Sequence, residues 1–458
     1  MRLGDPRRLA LLVLTLALAT PVAAAPNVVL ILTDDQRADG VATMPRLEAL
    51  AQQGVAFEQS FVTTALCSPS RASLLTGRYA RHTRVLDNRP PQGGVAAFDA
   101  SATLATVMKS AGYATGYFGK YMNGYERIAP AVPPGWDAWS AFVADVDLYL
   151  DYELAEDGVV RRYGKAESDY STDVLRDRTT AFIRAHKDRP FFVVYAPAAP
   201  HSPATPAARH AGRFADLAPY RPPSWAEKPI TDKPAYWQKL ALTWSALGAA
   251  AKIAANDAFR RDQLASLLAV DEAVGAILDT LTASGLRDDT VVIFTSDNGI
   301  AWGEHWMMSG QKRCPYEECI RVPLVIHDPA SSPYRDTRHV ALNIDVAPTI
   351  AALAGTTMPH ADGVSLLPLV RATKRERHRT VWRKDFVVEG WHFEDSDPPT
   401  QVAVRTDRWK YVRSEDPKGI KEEVYRLRRD RSELDGDPAA VSPTRVRRLR
   451  ERVDRLLQ

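Results

Sequence analysis

Asn27 to Thr33 reads N-V-V-L-I-L-T, an apolar run broken only at its two ends. A strand with one wet face alternates apolar and polar side chains. An unbroken run therefore marks a strand buried on both faces, the condition of an inner strand in a mostly parallel sheet. Similar runs return at Phe191–Tyr195 (F-F-V-V-Y), Thr290–Thr295 (T-V-V-I-F-T) and Val322–Ile326 (V-P-L-V-I), with helical spacing between them, as around Asp262–Leu281. Alternating strands and helices over such a length predict an α/β sandwich. Three of the runs lead directly into chemically capable residues: Asp34-Asp35, His201 and Asp297-Asn298. Open parallel sheets bind ligands at the carboxyl ends of their strands, so these residues are predicted to share one site.

At 458 residues the chain is long enough for one large α/β domain with a smaller appendage. A 45% hydrophobic and 25% charged composition excludes a mainly disordered chain. Residues 1–25 read as a secretory signal peptide. Arg2, Arg7 and Arg8 precede an apolar run from Leu9 to Ala19, and Ala23, Ala24 and Ala25 supply small residues for cleavage. The expectation is export, to the periplasm or beyond, by the general route or, through Arg7-Arg8, the twin-arginine route. No later stretch offers roughly 20 uninterrupted apolar residues, so the mature chain is expected to carry no membrane anchor. Removing 1–25 takes the net charge from +3 to about +1, a balance that argues against nucleic acid as the principal partner.

From about Arg371 the composition shifts towards charge, with 23 Lys/Arg against 17 Asp/Glu over 371–458, read as a solvated basic face. Gln401–Arg413 alternates as a half-exposed strand, and Val446, Leu449, Val453 and Leu456 follow helical spacing after Pro443. The predicted organisation is a catalytic domain over 26–370 and a small α+β subdomain over 371–458, with antiparallel strands and a closing helix. The Pro-rich stretch 197–234 reads as a long surface loop near the active face.

Cys67 to Arg78 reads C-S-P-S-R-A-S-L-L-T-G-R. It resembles the sulfatase signature C-x-P-S-R-x-x-x-L-T-G-R at every specified position. The resemblance implies an alkaline-phosphatase-like fold with a large, mostly parallel central sheet flanked by helices. It also implies that a formylglycine-generating enzyme reads Cys67, Pro69 and Arg71 and oxidises Cys67 to formylglycine. The chemistry suits a sulfate ester: one hydroxyl of an aldehyde hydrate attacks sulfur, and the other then drives sulfate out and restores the aldehyde. Thr76-Gly77-Arg78 would close a helix that starts near Ser70 and turns its N-terminal amides to an anion.

Asp34, Asp35, Asp297 and Asn298 offer oxygen ligands only, the preference of a hard cation such as calcium. The family assigns these positions to the metal, with residue 67 contributing and Gln36 a further candidate. Lys120 in G-Y-F-G-K-Y-M-N-G-Y, Lys312 in S-G-Q-K-R-C-P-Y-E and His201 in A-P-A-A-P-H-S-P resemble family blocks that grip sulfate or assist the leaving group. By the same resemblance Arg71 and Lys120 steady the formylglycine hydroxyls, Lys312 and His201 bind sulfate, and one of these two, His201 ahead of Lys312, protonates the departing alcohol. With Cys67 modified, Cys314 and Cys319 are left to pair across C-P-Y-E-E-C.

Many sulfatases carry G-K-W-H-x-G, whose histidine activates the formylglycine, whereas here Met122 and Asn123 follow Lys120-Tyr121. Asn123 is a candidate replacement, and His305 in D-N-G-I-A-W-G-E-H is expected to face the site and bind substrate. The blocks N-I-D-V-A-P-T (343–349) and V-Y-R-L-R-R-D-R-S-E-L (424–434) extend the likeness into the tail. G-K-Y-M-N-G-Y with P-P-G-W-D-A-W (133–139) is most similar to the N-acetylglucosamine-6-sulfatase branch, which implies a sulfated sugar or glycosaminoglycan fragment. Trp136, Trp139 and Trp302 are either stacking surfaces for it or core residues. A phosphonate or phosphodiester hydrolase of the same superfamily, and a catalytically silent glycan-binding homologue, are the alternatives.

Overall fold

The computed structural model describes residues 25–458 apart from 145, 147, 247, 248, 309, 417 and 418, with the backbone only at 246, 249 and 416. The predicted signal peptide lies outside the described residues but for Ala25. A ten-stranded sheet organises the molecule. Its order is Tyr334–Asp336, Val55–Phe57, Leu324–His327, Thr290–Ser296, Asn27–Thr33, Phe191–Ala196, Ala114–Gly119, Ala138–Phe142, Glu153–Glu156 and Val159–Arg162. The five strands from Thr290–Ser296 to Ala138–Phe142 run parallel.

Both faces of that parallel centre are covered, as its sequence requires. Along Asn27–Thr33, Val28, Leu30 and Leu32 enter one hydrophobic cluster while Val29 and Ile31 enter the other. Thr290–Ser296 divides the same way, with Val291 and Ile293 on one side and Val292 and Phe294 on the other. Each such side chain contributes about 1.5–3 kcal/mol on leaving water, so the centre of the sheet is the most heavily stabilised part of the fold. Ser171–Ala185 and the C-terminal half of Ala249–Ala283 cover one face, and Cys67–Thr76, Leu104–Ser110 and Val346–Leu353 cover the other.

Two expectations are corrected. The strand predicted at Val322–Ile326 forms at Leu324–His327 and pairs antiparallel with Thr290–Ser296, which makes the sheet mixed away from its centre. The helix predicted around Asp262–Leu281 extends over Ala249–Ala283, because its alanine-rich first turns favour helix.

Asp385–Gly390, Thr400–Thr406, Lys410–Asp416 and Gly419–Tyr425 form a four-stranded antiparallel sheet, closed on one side by the helix Pro443–Leu457 through Val446, Leu449 and Val453. Its other face shares a core with the main body, where Phe386, Val388, Ala403, Val412 and Tyr425 meet Phe61, Tyr316 and Ile320. Cys314 and Cys319 are joined in a disulfide. Among the described residues no helix is long and apolar enough to cross a membrane.

Candidate active site

Four of the five parallel strands deliver polar residues to one place beyond their carboxyl ends. Asn27–Thr33 runs into Asp34 and Asp35, Thr290–Ser296 into Asp297 and Asn298, Ala114–Gly119 into Lys120, and Phe191–Ala196 into the turn holding His201. Gly119 is required where the chain leaves its strand. At φ +133, a side chain there would meet the carbonyl of Ala196, which instead accepts the Lys120 amide at 2.8 Å. Asp35 adopts a left-handed φ of 67°, held by its amide donating to Asp297 Oδ1 at 3.1 Å and the Gln36 amide donating to Ser296 Oγ at 2.9 Å.

The helix Cys67–Thr76 supplies the fifth component. It begins at Cys67 rather than near Ser70, because Leu66 is still extended and Pro69 falls in the first turn, where no amide donor is needed. Gly77 ends it in the left-handed region at φ 72°, its amide donating to Ser73 O at 2.8 Å. Every residue of this helix is buried. Asn88 Oδ1 accepts the Ser68 amide at 2.9 Å, and Asn343 Nδ2 donates to Ser70 Oγ at 2.9 Å.

Cys67 Sγ lies 2.9 Å from Lys312 Nζ, 3.7 Å from Lys120 Nζ and 3.7 Å from Asp34 Oδ1. Arg71 Nε donates to Asp297 Oδ2 at 2.8 Å, and its Nη2 stands 3.5 Å from Asp34 Oδ2. Lys120 pairs with Asp34 Oδ2 at 2.5 Å and Lys312 with Asp35 Oδ1 at 2.5 Å. His201 Nε2 is 3.9 Å from Asp35 Oδ2, and its Nδ1 faces Ser202 O at 2.7 Å. One arrangement thus gathers Asp34, Asp35, Cys67, Arg71, Lys120, His201, Asp297, Asn298 and Lys312.

The electrostatics follow from burial. Burial pushes the Cys67 thiol up to about 12 against the pull of Lys120 and Lys312, so the unmodified sulfur stays protonated. Burial also raises Asp34, but Lys120, His201, Arg71 and Lys312 together outweigh it and hold that carboxyl well below its ordinary range. Burial and then the Asp34 charge push Asp297 up to about 6. His201 is lowered by burial and Lys120, with Asp34 and Asp35 opposing.

Oxygens of Asp34, Asp35 and Asp297 lie within 4.8 Å of one another, and all three residues are buried. Asn298 Nδ2 donates to Asp35 Oδ1 at 2.6 Å and to Gly299 O at 2.8 Å, which leaves its Oδ1 buried without a donor. Crowded carboxylates, one driven towards protonation, with an unpartnered acceptor beside them, fit a hard divalent cation.

Other expected members lie elsewhere. His305 is fully buried in a different cluster, with Nδ1 2.9 Å from Glu227 Oε1 and its ring 4.3 Å from that of Tyr316, because its hairpin turns it away after Gly303. Asn123 meets Ser68, accepting its hydroxyl at 2.7 Å and donating its amide at 3.0 Å, so it braces the helix start. Gln36 Nε2 meets Met44 Sδ at 3.2 Å and its side chain packs by Gly40. Trp139 is core, its Nε1 donating to Tyr125 Oη at 2.8 Å, and Trp302 lies under Arg37 with its Nε1 bonded to Gln263. Trp136 is half-buried against Phe192 and Tyr117. Asn88 has no signal in the sequence, whereas Asn343 opens the block N-I-D-V-A-P-T.

The α/β sandwich has an alkaline-phosphatase-like fold, with carboxylates and cations gathered around one buried cysteine at its strand ends. The chain belongs to the sulfatase family, which it matches over residues 26–356, and it matches the N-sulphoglucosamine sulphohydrolase C-terminal family over 303–456. The human N-acetylglucosamine-6-sulfatase is 33% identical over 385 residues, covering 80% of this chain and 67% of that protein. The chain also matches extracellular sulfatase SULF-1 homologues of Caenorhabditis elegans and Drosophila melanogaster at 32% identity, but spans only 52% and 33% of their lengths. A solved structure in complex with its substrate D-glucosamine-2-N,6-O-disulfate superposes with a TM-score of 0.78 at 24% identity, covering 94% of this chain and 97% of that one. The phosphonate monoester hydrolase of Agrobacterium radiobacter superposes with a TM-score of 0.73 at 23% identity, covering 94% and 95%.

Proposed function

We propose that this protein is a sulfuric ester hydrolase that releases sulfate from a sulfated sugar or glycosaminoglycan fragment, using formylglycine made from Cys67 and a bound calcium ion. The observation that carries this reading is the position of Cys67, within 3.7 Å of Lys120, Lys312 and Asp34. Asp34, Asp35, Asp297 and Asn298 would hold the calcium. Hydrated formylglycine supplies one hydroxyl to attack sulfur and a second to expel sulfate, and calcium supplies positive charge beside them.

The chain's own residues do the rest. Arg71 and Lys120 orient residue 67, and Lys312 and His201 hold the sulfate against it. Preorganised cations at developing negative charge account for large rate effects without further reorganisation. Because His201 Nδ1 faces the Ser202 carbonyl, it carries the hydrogen, and Nε2 is the atom that delivers a proton to the departing alcohol. An anionic substrate is what charges that ring, since burial and Lys120 otherwise keep it neutral.

Export is proposed through residues 1–25, and a formylglycine-generating enzyme is the maturation partner. The folded chain exposes Cys67 by only 1%, so that enzyme must act before the helix Cys67–Thr76 is packed. Likeness to a phosphonate monoester hydrolase supports a second reading on phosphorus esters. Turnover of nitrophenyl sulfate, a nitrophenyl phosphate diester and a phenylphosphonate ester separates them. Sulfate turnover should dominate, and dominant phosphonate turnover would overturn the proposal. A native protein that binds sulfated sugars with an unmodified Cys67 thiol would instead be a silent glycan binder.

A further inference from the structure

We infer that a cleft lined by Trp225, Trp244, Trp306 and Met308 and edged by Lys228 and Lys252 is a second carbohydrate subsite, taking a neighbouring ring of an anionic oligosaccharide substrate. The inference rests on the hydrolase reading above and extends it from a single sugar to a chain.

The cleft is tied to the site by one hairpin. After Asn298 the chain runs outward and returns, with the Ala301 amide donating to Gln311 O and the Gly303 amide to Met307 O, each at 2.9 Å. Asn298 and Lys312 stand at its base, Trp306 and Met308 near its tip. Lys312 follows Met308 by four positions, at most about 14 Å of extended chain. A short oligosaccharide covers that span.

Three elements close around the tip. Trp225 and Lys228 come from the Pro-rich loop, Trp244 from the helix Ala235–Ala246, and Lys252 from the start of Ala249–Ala283. They enclose a cavity of about 260 Å³. Trp306 is fixed by its Nε1 donating to Glu227 O at 2.8 Å, while Trp225 and Trp244 stay partly exposed.

The lining chemistry selects the occupant. Indoles offer flat apolar faces to the C–H face of a pyranose ring. Lys252 Nζ lies 4.7 Å from the Trp244 ring and Lys228 Nζ 5.9 Å from the Trp306 ring, so each face has an ammonium within reach of a ring-borne sulfate or carboxylate. Among the described residues no acidic side chain lines the cleft. These indoles belong to a small satellite cluster with Ala241 and Ile230, apart from the two large cores against the sheet. A concave, aromatic and cationic surface is complementary to a sulfated glycan.

The test compares Trp244→Ala and the double variant Lys228→Ala/Lys252→Ala with the parent chain on N-acetylglucosamine 6-sulfate and on a sulfated tetrasaccharide ending in that sugar. KM for the tetrasaccharide should rise about tenfold in each, with kcat and the monosaccharide constants unchanged. An unchanged tetrasaccharide KM, or an equal loss on both substrates, would overturn the subsite; the former would leave the cleft to a protein partner. Calorimetric titration of the same tetrasaccharide into Cys67→Ala, with and without Trp244→Ala, reads the subsite without turnover. If the parent chain hydrolyses no sulfate ester yet Trp244→Ala still weakens this binding, the hydrolase reading fails and the subsite stands.

Discussion

The Lys312 ammonium sits 2.9 Å from the Cys67 sulfur and 2.5 Å from Asp35 Oδ1, bridging the residue proposed as nucleophile and a residue proposed to hold the metal. Burial lowers the pKa of such an ammonium, but Asp35 and its neighbours raise it well above its usual value, so Lys312 stays charged. Lys312→Ala should therefore lower kcat roughly 100- to 1,000-fold, the cost of losing one preorganised donor. The melting temperature should change little. Single-turnover kinetics check this, and a variant within threefold of the parent would remove Lys312 from the chemistry.

Asp297 separates a catalytic from a structural effect. It accepts from Arg71 Nε at 2.8 Å and from the Asp35 amide at 3.1 Å, and Arg71 is almost fully buried. Asp297→Ala leaves that guanidinium without the nearer of its two carboxylates, an arrangement that costs about 3–5 kcal/mol, although its Nη1 still donates to Lys120 O at 2.6 Å. Asp297→Asn keeps the acceptor oxygen. Both should abolish turnover, but only the alanine variant should melt markedly earlier. Equal melting temperatures would show that Asp34 and the Lys120 carbonyl satisfy Arg71.

Chelation provides a third test. Three buried carboxylates whose oxygens lie within 4.8 Å of one another form the proposed calcium site. Calcium should raise the melting temperature of the chelator-treated protein, approaching about 2.7 kcal/mol of stabilisation at a hundred times its dissociation constant. Asp35→Asn should abolish that rise. A melting curve indifferent to calcium would argue that Lys120 and Lys312 balance the cluster unaided.

Glu227 and His305 set a pH dependence remote from the chemistry. Burial pushes Glu227 up to about 8 from 4.5, with Lys233 opposing. The folded chain then binds more protons than the unfolded one between these values. Its contribution is full below about 4.5 and is lost as pH rises through 8. Burial, reinforced by Lys233, lowers His305 to about 3 from 6.5, so its contribution is present above 6.5 and lost as pH falls towards 3. Glu227→Gln keeps a donor for His305 Nδ1 and removes the alkaline loss. The melting temperature of the variant should fall less than the parent's between pH 6 and 9, and parallel curves would contradict the assignment.

The parts of the site legible in the sequence are those at strand ends. The runs before Asp34 and Asp297 are apolar because both faces of their strands are buried, and that same burial places the next residues at the sheet's carboxyl edge. Strand direction was not legible: Leu324–His327 is as apolar as its parallel neighbours, and nothing in composition distinguishes antiparallel pairing. His305 misled because it lies seven residues beyond Asn298, and sequence nearness suggested spatial nearness. The hairpin through Gly303 and Met307 carries it into the Glu227 cluster instead. Asn88 and Asn343 escaped because they act on the helix Cys67–Thr76 from loops and short turns, where a polar residue carries no pattern.

The central claim concerns what residue 67 becomes. The peptide containing Cys67, isolated from active protein made with a formylglycine-generating enzyme and weighed by mass spectrometry, should be lighter by the difference between a thiol and an aldehyde side chain, and sulfate release should scale with that fraction. Full activity from protein whose peptide retains the intact thiol would contradict it.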